Sequence, residues 1–141
     1  MTKLAIAGAA GRMGRTLIEL AAENKDLEIS AAFEHKDSAF LGQDAGAVAG
    51  IAPLGIPIVN SINAIGSFDV LIDFTLPESS LEHVQWCRDN AKAMVIGTTG
   101  FGEKQKLILD AGADIPIVFA PNMSIGVNLC FKLTELAARV L

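Results

Sequence analysis

Residues 8–14 read Gly-Ala-Ala-Gly-Arg-Met-Gly, and the segments on either side of this stretch decide the fold. The apolar run Leu4–Gly8 leads into it, which predicts a short strand buried on both faces. After it, apolar side chains recur at helical spacing as far as Asn24. A second strand is predicted at Leu27–Glu34, where apolar side chains alternate with others. Strand, glycine turn, helix and strand make a βαβ unit with a right-handed crossover.

The glycine spacing of this turn suits a bound diphosphate. Gly8 permits a tight turn off the strand, Gly11 leaves no Cβ between backbone and ligand, and Gly14 allows close helix–strand packing. Free N–H groups and the helix dipole favour an anion at this point, and Arg12 and Arg15 add positive charge. The alternative is a tight turn that binds nothing.

Glu34 ends the second predicted strand, where an acid can accept hydrogen bonds from an adenosine ribose. A carboxylate here repels a 2′-phosphate and favours NAD, whereas His35 and Lys36 can offset that repulsion. We therefore expect NAD(H), NADP(H) or both as the cofactor. The alternatives are a solvated strand-end glutamate and a plain surface histidine.

Strands and helices alternate along the rest of the chain. This alternation predicts an α/β fold with a Rossmann-type, doubly wound parallel sheet. Strands are predicted at Ile56–Val59, Asp69–Phe74, Ala93–Gly97 and Ile115–Ala120. Helices are predicted from a Thr75–Glu78 capping box to Asn90, at Glu103–Ala111 and at Ser124–Leu141. Residues 36–55 are predicted to form a loop with at most a weak helical turn, and Ile62–Ile65 a helical turn.

The domain organisation is predicted as a dinucleotide-binding domain over residues 1–122 and a connecting helix over 123–141. The last helix has an apolar stripe, and the helical pattern is still strong at Leu141. We therefore expect this helix to lead into a second, substrate-binding domain that is truncated here. The stripe consists of Leu129, Leu133, Leu136, Ala137 and Val140.

Two further loops follow predicted strands, on the edge of the sheet where ligands bind. Gly97-Thr98-Thr99 carries two hydroxyls that could hold a nicotinamide amide or a substrate carboxylate, or could cap the next helix. In Ala120-Pro121-Asn122-Met123, the Asn122 side chain could bind a ring amide or fix the loop, and Ser124 could cap the last helix.

The remaining polar and sulfur-containing side chains carry weaker signals. Asp73 and Thr75 are expected near the nicotinamide side, and His83 is expected on a solvated helix face. Cys87 and Cys130 have no metal-ligand spacing and are predicted to be small core residues in a reducing compartment. No metal site and no paired acid–base residues are predicted.

Composition excludes several classes of protein. The formal net charge is −5, so no basic surface is expected for nucleic acid. The longest apolar run near the N-terminus, Leu4 to Ala10, is too short for a signal peptide or a membrane span. A cytoplasmic protein with a small-molecule substrate is therefore expected.

Several motifs together resemble one family, the bacterial 4-hydroxy-tetrahydrodipicolinate (dihydrodipicolinate) reductases, in their N-terminal half. The glycine loop is generic, but Gly-Thr-Thr-Gly-Phe at 97–101 together with Asn-Met-Ser-Ile-Gly-Val-Asn at 122–128 is quite specific. The matching segments are residues 5–15, 33–34, 42–46, 69–75, 77–78, 95–101 and 119–128.

The resemblance implies NADH- or NADPH-dependent reduction of the cyclic dipicolinate precursor to tetrahydrodipicolinate, in lysine and diaminopimelate biosynthesis, by a homotetramer. It also implies roles for residues of this sequence. The diphosphate is assigned to Gly8, Ala9, Ala10, Gly11, Arg12 and Met13, the adenosine ribose to Glu34 with His35 beside it, the nicotinamide to Gly97, Thr98, Thr99, Ala120, Pro121, Asn122 and Met123, and a substrate carboxylate to Thr99.

The sequence departs from the family in two respects. His35 stands where some relatives carry an arginine that binds the 2′-phosphate, and the family's histidine-rich segment with its proton donor and substrate lysine should follow Leu141. No catalytic residue is therefore assigned, and this chain is expected to bind cofactor with little or no turnover. The alternatives are an aspartate or homoserine dehydrogenase domain, and a non-catalytic nucleotide-sensing or CoA-binding domain.

Overall fold

A six-stranded parallel sheet in the order β3-β2-β1-β4-β5-β6 organises the chain in the computed structural model, which describes residues 1–141. This strand order is that of doubly wound Rossmann sheets, and it confirms the predicted fold class. The strands are β1 (Thr2–Ala7), β2 (Leu27–Phe33), β3 (Ile58–Val59), β4 (Val70–Asp73), β5 (Ala93–Ile96) and β6 (Ile117–Phe119). The helices are α1 (Arg12–Glu23), α2 (Ala45–Ala49), α3 (Pro77–Asp89), α4 (Gln105–Ala111) and α5 (Ile125–Val140), with short 3-10 turns at Ile62–Ala64 and Gly102–Lys104.

Helices cover both faces of the sheet, so each face has its own apolar core. Successive side chains of a strand point to opposite faces. On β1, Leu4 and Ile6 therefore join the core under α1 and α2, while Ala5 and Ala7 join the core under α3 and α4. Burial on both faces explains why the strands read as continuous apolar runs.

The observed strand bounds differ from the predicted ones by one to two residues at several ends. β1 begins at Thr2, where the chain is exposed, because Thr2 pairs with Leu27 of β2. The main-chain N–H of Lys3 also donates to the Asp69 carboxylate at 2.8 Å. Hydropathy did not reveal these pairings because the outer residues of the strand are polar and solvated.

The segment 36–55 contains a helix of five residues, α2, and is otherwise irregular as predicted. Asp44 organises it, because its two carboxylate oxygens accept four backbone N–H groups at 2.7–3.1 Å. These hydrogen bonds lower the pKa of Asp44 below its ordinary value, and the one from the N–H of Ala47 has the largest effect. The donors are Ala47, Leu54, Gly55 and Ile56.

The predicted capping box at Thr75 and Glu78 is wrong. Helix α3 begins at Pro77 with Leu76 as its N-cap, and no side chain caps it. The Thr75 hydroxyl instead donates to the carboxylate of Asp73 at 2.7 Å. A hydrogen bond to an ionised carboxylate is stronger than a neutral one, so the Thr75 hydroxyl turns inward to Asp73 instead of capping the helix.

Helix α5 forms as predicted, and the Ser124 hydroxyl caps it by accepting from the N–H of Val127 at 3.4 Å. None of its residues is buried, so the predicted apolar stripe faces outward, with Leu129, Leu133 and Leu136 all more than half exposed. Cys130 is exposed as well, against the prediction, whereas Cys87 is buried as predicted. No helix of the structure combines the length and the apolar character needed to cross a bilayer.

Candidate cofactor site

The candidate site lies at the carboxyl ends of β1, β2 and β4, where the direction of strand order reverses. Crossovers leave β1 and β4 on opposite faces of the sheet, and a crevice opens between them. A cavity of about 600 Å³ occupies this crevice. Its wall includes Gly8 and Gly11 from the glycine loop, Glu34 from the end of β2, and His83 and Trp86 from α3.

The glycine loop is shaped by two steric requirements, both predicted from the sequence. Gly8 has φ +67°, a left-handed conformation that side chains rarely adopt. A Cβ on Gly14 would lie 2.1 Å from the carbonyl oxygen of Gly8, so only glycine lets α1 approach the strand this closely. The loop therefore brings the start of α1 against the end of β1.

The first turn of α1 is left open for an acceptor. The backbone N–H groups of Arg12, Met13 and Gly14 donate no hydrogen bond within the chain, and the N-cap Gly11 has no side chain to satisfy them. Helices α2 and α5, by contrast, begin with capping side chains. Unpaired amides at the positive end of a helix dipole suit a phosphate group, so the residues fit a bound diphosphate.

The backbone of Ala10, just before this turn, is held at both its N–H and its carbonyl. The N–H of Ala10 donates to Glu34 Oε1 at 2.9 Å, and the carbonyl of Ala10 accepts from Arg15 Nε at 2.7 Å. The Arg15 guanidinium also lies 5.0 Å from the ring centroid of Phe40. Arg15 therefore positions the loop, while Arg12 stays exposed beside it.

Glu34, His35 and Lys36 all line the cavity, and their predicted role at the adenosine ribose stays a prediction. The backbone N–H of Glu34 donates to the carbonyl of Val59 on β3, which fixes the acid at the strand end. His35 and Lys36 are exposed, and His35 Nδ1 accepts from the N–H of Asp37. An acid and two basic side chains thus share one wall of the cavity.

The opposite wall was not found from the sequence. Trp86 lines the cavity, and its indole N–H donates to Asn63 Oδ1 at 2.8 Å. His83 lies edge-on to Phe33, with ring centroids 5.1 Å apart. Ser79, His83 and Trp86 recur at helical spacing on one face of α3, and that periodicity is the signal that could have revealed this wall.

Beneath the cavity, Asp73 is fully buried at the end of β4. Its Oδ1 accepts from the hydroxyls of Thr75, Ser80 and Thr98 at 2.7–3.3 Å, and its Oδ2 lies 2.6 Å from His83 Nδ1. The prediction that His83 lies on a solvated helix face is therefore wrong. Burial acts to raise the pKa of Asp73, but the hydrogen bond and charge of His83, with the hydroxyls, lower it below the ordinary value.

In the loop after β5, Thr98 faces inward and Thr99 faces outward. Thr98 is buried, and its Oγ1 accepts from the N–H of Thr75 at 2.9 Å, whereas Thr99 is exposed. Gly97 is required for packing, because a Cβ there would lie 1.9 Å from the ring of Phe74. No side chain caps the 3-10 turn or the helix that follows, so the capping alternative for Thr98 and Thr99 is not observed.

The loop after β6 is fixed by its own hydrogen bonds. Asn122 Oδ1 accepts from the N–H of Ser124 at 2.8 Å, and the carbonyl of Asn122 accepts from the side chain of Asn128 at 3.1 Å. Neither this loop nor residues 97–99 borders the cavity. Nicotinamide contacts by these two loops stay a prediction.

By fold and by site, the chain is a nucleotide-binding α/β domain of the Rossmann class. It belongs to the family described as dihydrodipicolinate reductase, N-terminus, which matches residues 2–123 and is a family of oxidoreductases. The dipicolinate-bound dihydrodipicolinate reductase from Paenisporosarcina sp. TG-14 is 31% identical, with a TM-score of 0.76 over 98% of this chain and 54% of that one. The chain thus spans about half the length of that reductase.

More distant structures share only the fold. A putative homoserine dehydrogenase from Archaeoglobus fulgidus is 17% identical, with a TM-score of 0.60 over 84% of this chain and 42% of that one. An aspartate semialdehyde dehydrogenase with NADP from Candida albicans is also 17% identical, with a TM-score of 0.57 over 70% of this chain and 30% of that one.

Proposed function

We propose that this chain is the nicotinamide-dinucleotide-binding part of a 4-hydroxy-tetrahydrodipicolinate reductase. Such an enzyme reduces its substrate to tetrahydrodipicolinate with NADH or NADPH in lysine and diaminopimelate biosynthesis. Family membership supports the reaction, and the cofactor is supported by the open α1 amides, which directly follow the Gly11 that lines the same cavity as Glu34. With this function we propose a cytoplasmic location and a homotetrameric full-length enzyme.

In this proposal the chain binds and orients the cofactor. The backbone N–H groups of Arg12 and Met13 donate to the diphosphate. The carboxylate oxygens of Glu34, which accept from the N–H groups of Ala10 and His35, also accept from ribose hydroxyls. When bound, the nicotinamide supplies a hydride. The loops after β5 and β6 are proposed to border the nicotinamide ring, with Thr99 reaching a substrate carboxylate.

Catalytic turnover by the chain alone is proposed to be slight. Hydride transfer to a substrate of this class needs a positioned proton donor as well as a cofactor. We assign none here, because His83 Nδ1 is engaged with the buried carboxylate of Asp73. Near-normal turnover in a steady-state assay with the reductase substrate would contradict this part of the proposal.

We propose that both NADH and NADPH bind. Glu34 disfavours a 2′-phosphate by charge repulsion, while His35 and Lys36 on the same wall of the cavity attract it. All three groups are at least partly exposed, so water and salt weaken each effect and no large discrimination is expected.

The proposal is tested by titrating the chain with NADH, NADPH and CoA while recording Trp86 fluorescence. Trp86 lines the cavity and is the chain's single tryptophan, so it reports occupation directly. We expect saturable binding of both reduced cofactors and no competition from CoA. Glu34→Gln should change the relative affinities, whereas the control Glu19→Gln, on an exposed face of α1, should not. Failure of both reduced cofactors to bind, or preferred binding of CoA, would refute the cofactor assignment.

A further inference from the structure

The buried carboxylate of Asp73 receives hydrogen bonds on both oxygens. Three hydroxyls and the main-chain N–H of Thr75 surround Oδ1, and His83 Nδ1 lies 2.6 Å from Oδ2. Asp73 is fully buried, and no buried side-chain nitrogen or oxygen in the chain lacks a hydrogen-bond partner. The cluster is therefore a complete polar network within the apolar core.

The direction of these hydrogen bonds fixes a proton. Oδ1 of Asp73 accepts from the main-chain N–H of Thr75 at 2.9 Å and from three hydroxyls, which is the pattern of an ionised carboxylate that can only accept. His83 Nδ1 must then carry the hydrogen that bridges to Oδ2. In a neutral imidazole the other nitrogen, Nε2, is left as a hydrogen-bond acceptor.

Nε2 of His83 opens onto the cavity. It makes no hydrogen bond within the chain, yet no buried side-chain nitrogen is unpaired, so the atom is reachable from the cavity that His83 lines. The imidazole is also held edge-on against Phe33. Its orientation is thus set from two sides, by a ring and by a carboxylate.

We propose that Asp73 is a positioning residue, which fixes His83 in the Nδ1–H tautomer so that Nε2 offers a hydrogen-bond acceptor to the bound nucleotide. The same carboxylate accepts from Thr98, so it also ties the α3 wall of the cavity to the loop after β5. This inference rests on the proposed function, since it requires a nucleotide in the cavity. The matching ligand group is a hydrogen-bond donor such as an amine or a hydroxyl.

The tautomer is measured directly by long-range ¹H–¹⁵N NMR of the labelled 141-residue chain, at a pH where the imidazole is neutral. We expect the Nδ1–H form of His83, and a shift of its Nε2 resonance on saturation with NADH. An Nε2–H form in the free protein would overturn the proposal. So would saturation with NADH that leaves the Nε2 resonance unmoved. Absence of NADH binding would instead contradict the proposed function, so the two failures are distinguishable.

The variant Asp73→Asn tests the cause. An amide has the shape of the carboxylate, and its oxygen must stay beside the main-chain N–H of Thr75, which cannot accept. Its nitrogen therefore donates to His83 Nδ1, so the tautomer must switch to Nε2–H. NADH affinity should fall roughly tenfold, the usual effect of one lost hydrogen bond at a buried site. The matched control is Asp69→Asn, four residues earlier on an exposed position, which should change neither the tautomer nor the affinity. Asp73→Asn with an unchanged tautomer and unchanged affinity would overturn the proposal. The measurements on the unsubstituted chain decide it even if this variant does not fold.

Discussion

Replacing Gly14 with alanine tests the packing of α1 on β1. The added Cβ would lie 2.1 Å from the Gly8 carbonyl oxygen and 2.8 Å from the Cα of Ala9. Both are backbone atoms, so neither can rotate away, and the start of α1 must move off the strand. Overpacking of this kind costs about 1–3 kcal/mol. Alanine recovers about 1 kcal/mol through its better helix propensity. We therefore expect a net loss of up to about 2 kcal/mol in the free energy of unfolding.

Two measurements check this expectation. Urea denaturation followed by circular dichroism gives the free energy of unfolding, and NADH titration reports whether the displaced α1 amides still meet the ligand. The control is Gly66→Ala, because nothing lies within 4 Å of a Cβ at that position and its φ is not positive. That variant should be neutral or slightly stabilising. Unchanged stability and unchanged NADH affinity in Gly14→Ala would refute the close-packing argument.

Three further predictions concern single side chains. Asp44→Asn should lower the melting temperature. Because the folded-state pKa of Asp44 is depressed, the stability that its carboxylate contributes is present above about pH 3.8 and is lost as the pH falls through the folded pKa. Thermal melts at several pH values measure this, and an equal acid transition in Asp44→Asn and the unsubstituted chain would contradict it. Glu34→Gln should raise NADPH affinity relative to NADH up to roughly tenfold, the size expected for one repulsive charge contact near the surface, and an unchanged ratio in parallel titrations would remove Glu34 from the ribose site. Burial raises the pKa of the Cys87 thiol to about 12, so a thiol reagent at neutral pH should modify exposed Cys130 and leave Cys87 until the chain unfolds; two equally fast thiols in the native protein would show that the core around Cys87 is open.

The doubly wound parallel sheet followed from the sequence because local signals agree with the global fold. The run Leu4–Gly8, the glycine spacing and the alternation at Leu27–Glu34 each point to the same βαβ unit. The approach of Glu34 to the glycine loop was likewise predictable, since the carboxyl ends of neighbouring parallel strands meet at one edge. Family membership, also predicted, is confirmed by the match over residues 2–123.

The polar cluster under the cavity was not predictable, because sequence patterns assume that polar side chains face water. Asp73 and Ser80 are fully buried, and they draw Thr75 and His83 inward with them. Each of these side chains looks solvated or helix-capping by itself, and only the folded backbone brings together the partners that make burial affordable. The outward stripe of α5 was missed for the related reason that periodicity predicts a face but does not say what covers it.

The two hydrogen bonds on the backbone of Ala10 have a kinetic consequence. With its N–H held by Glu34 and its carbonyl by Arg15, the glycine loop is already in one shape before a ligand arrives. Little flexibility is then lost on docking, and encounter rates should vary only modestly from one dinucleotide to another. Differences in affinity among nucleotides would accordingly show up mainly as differences in residence time.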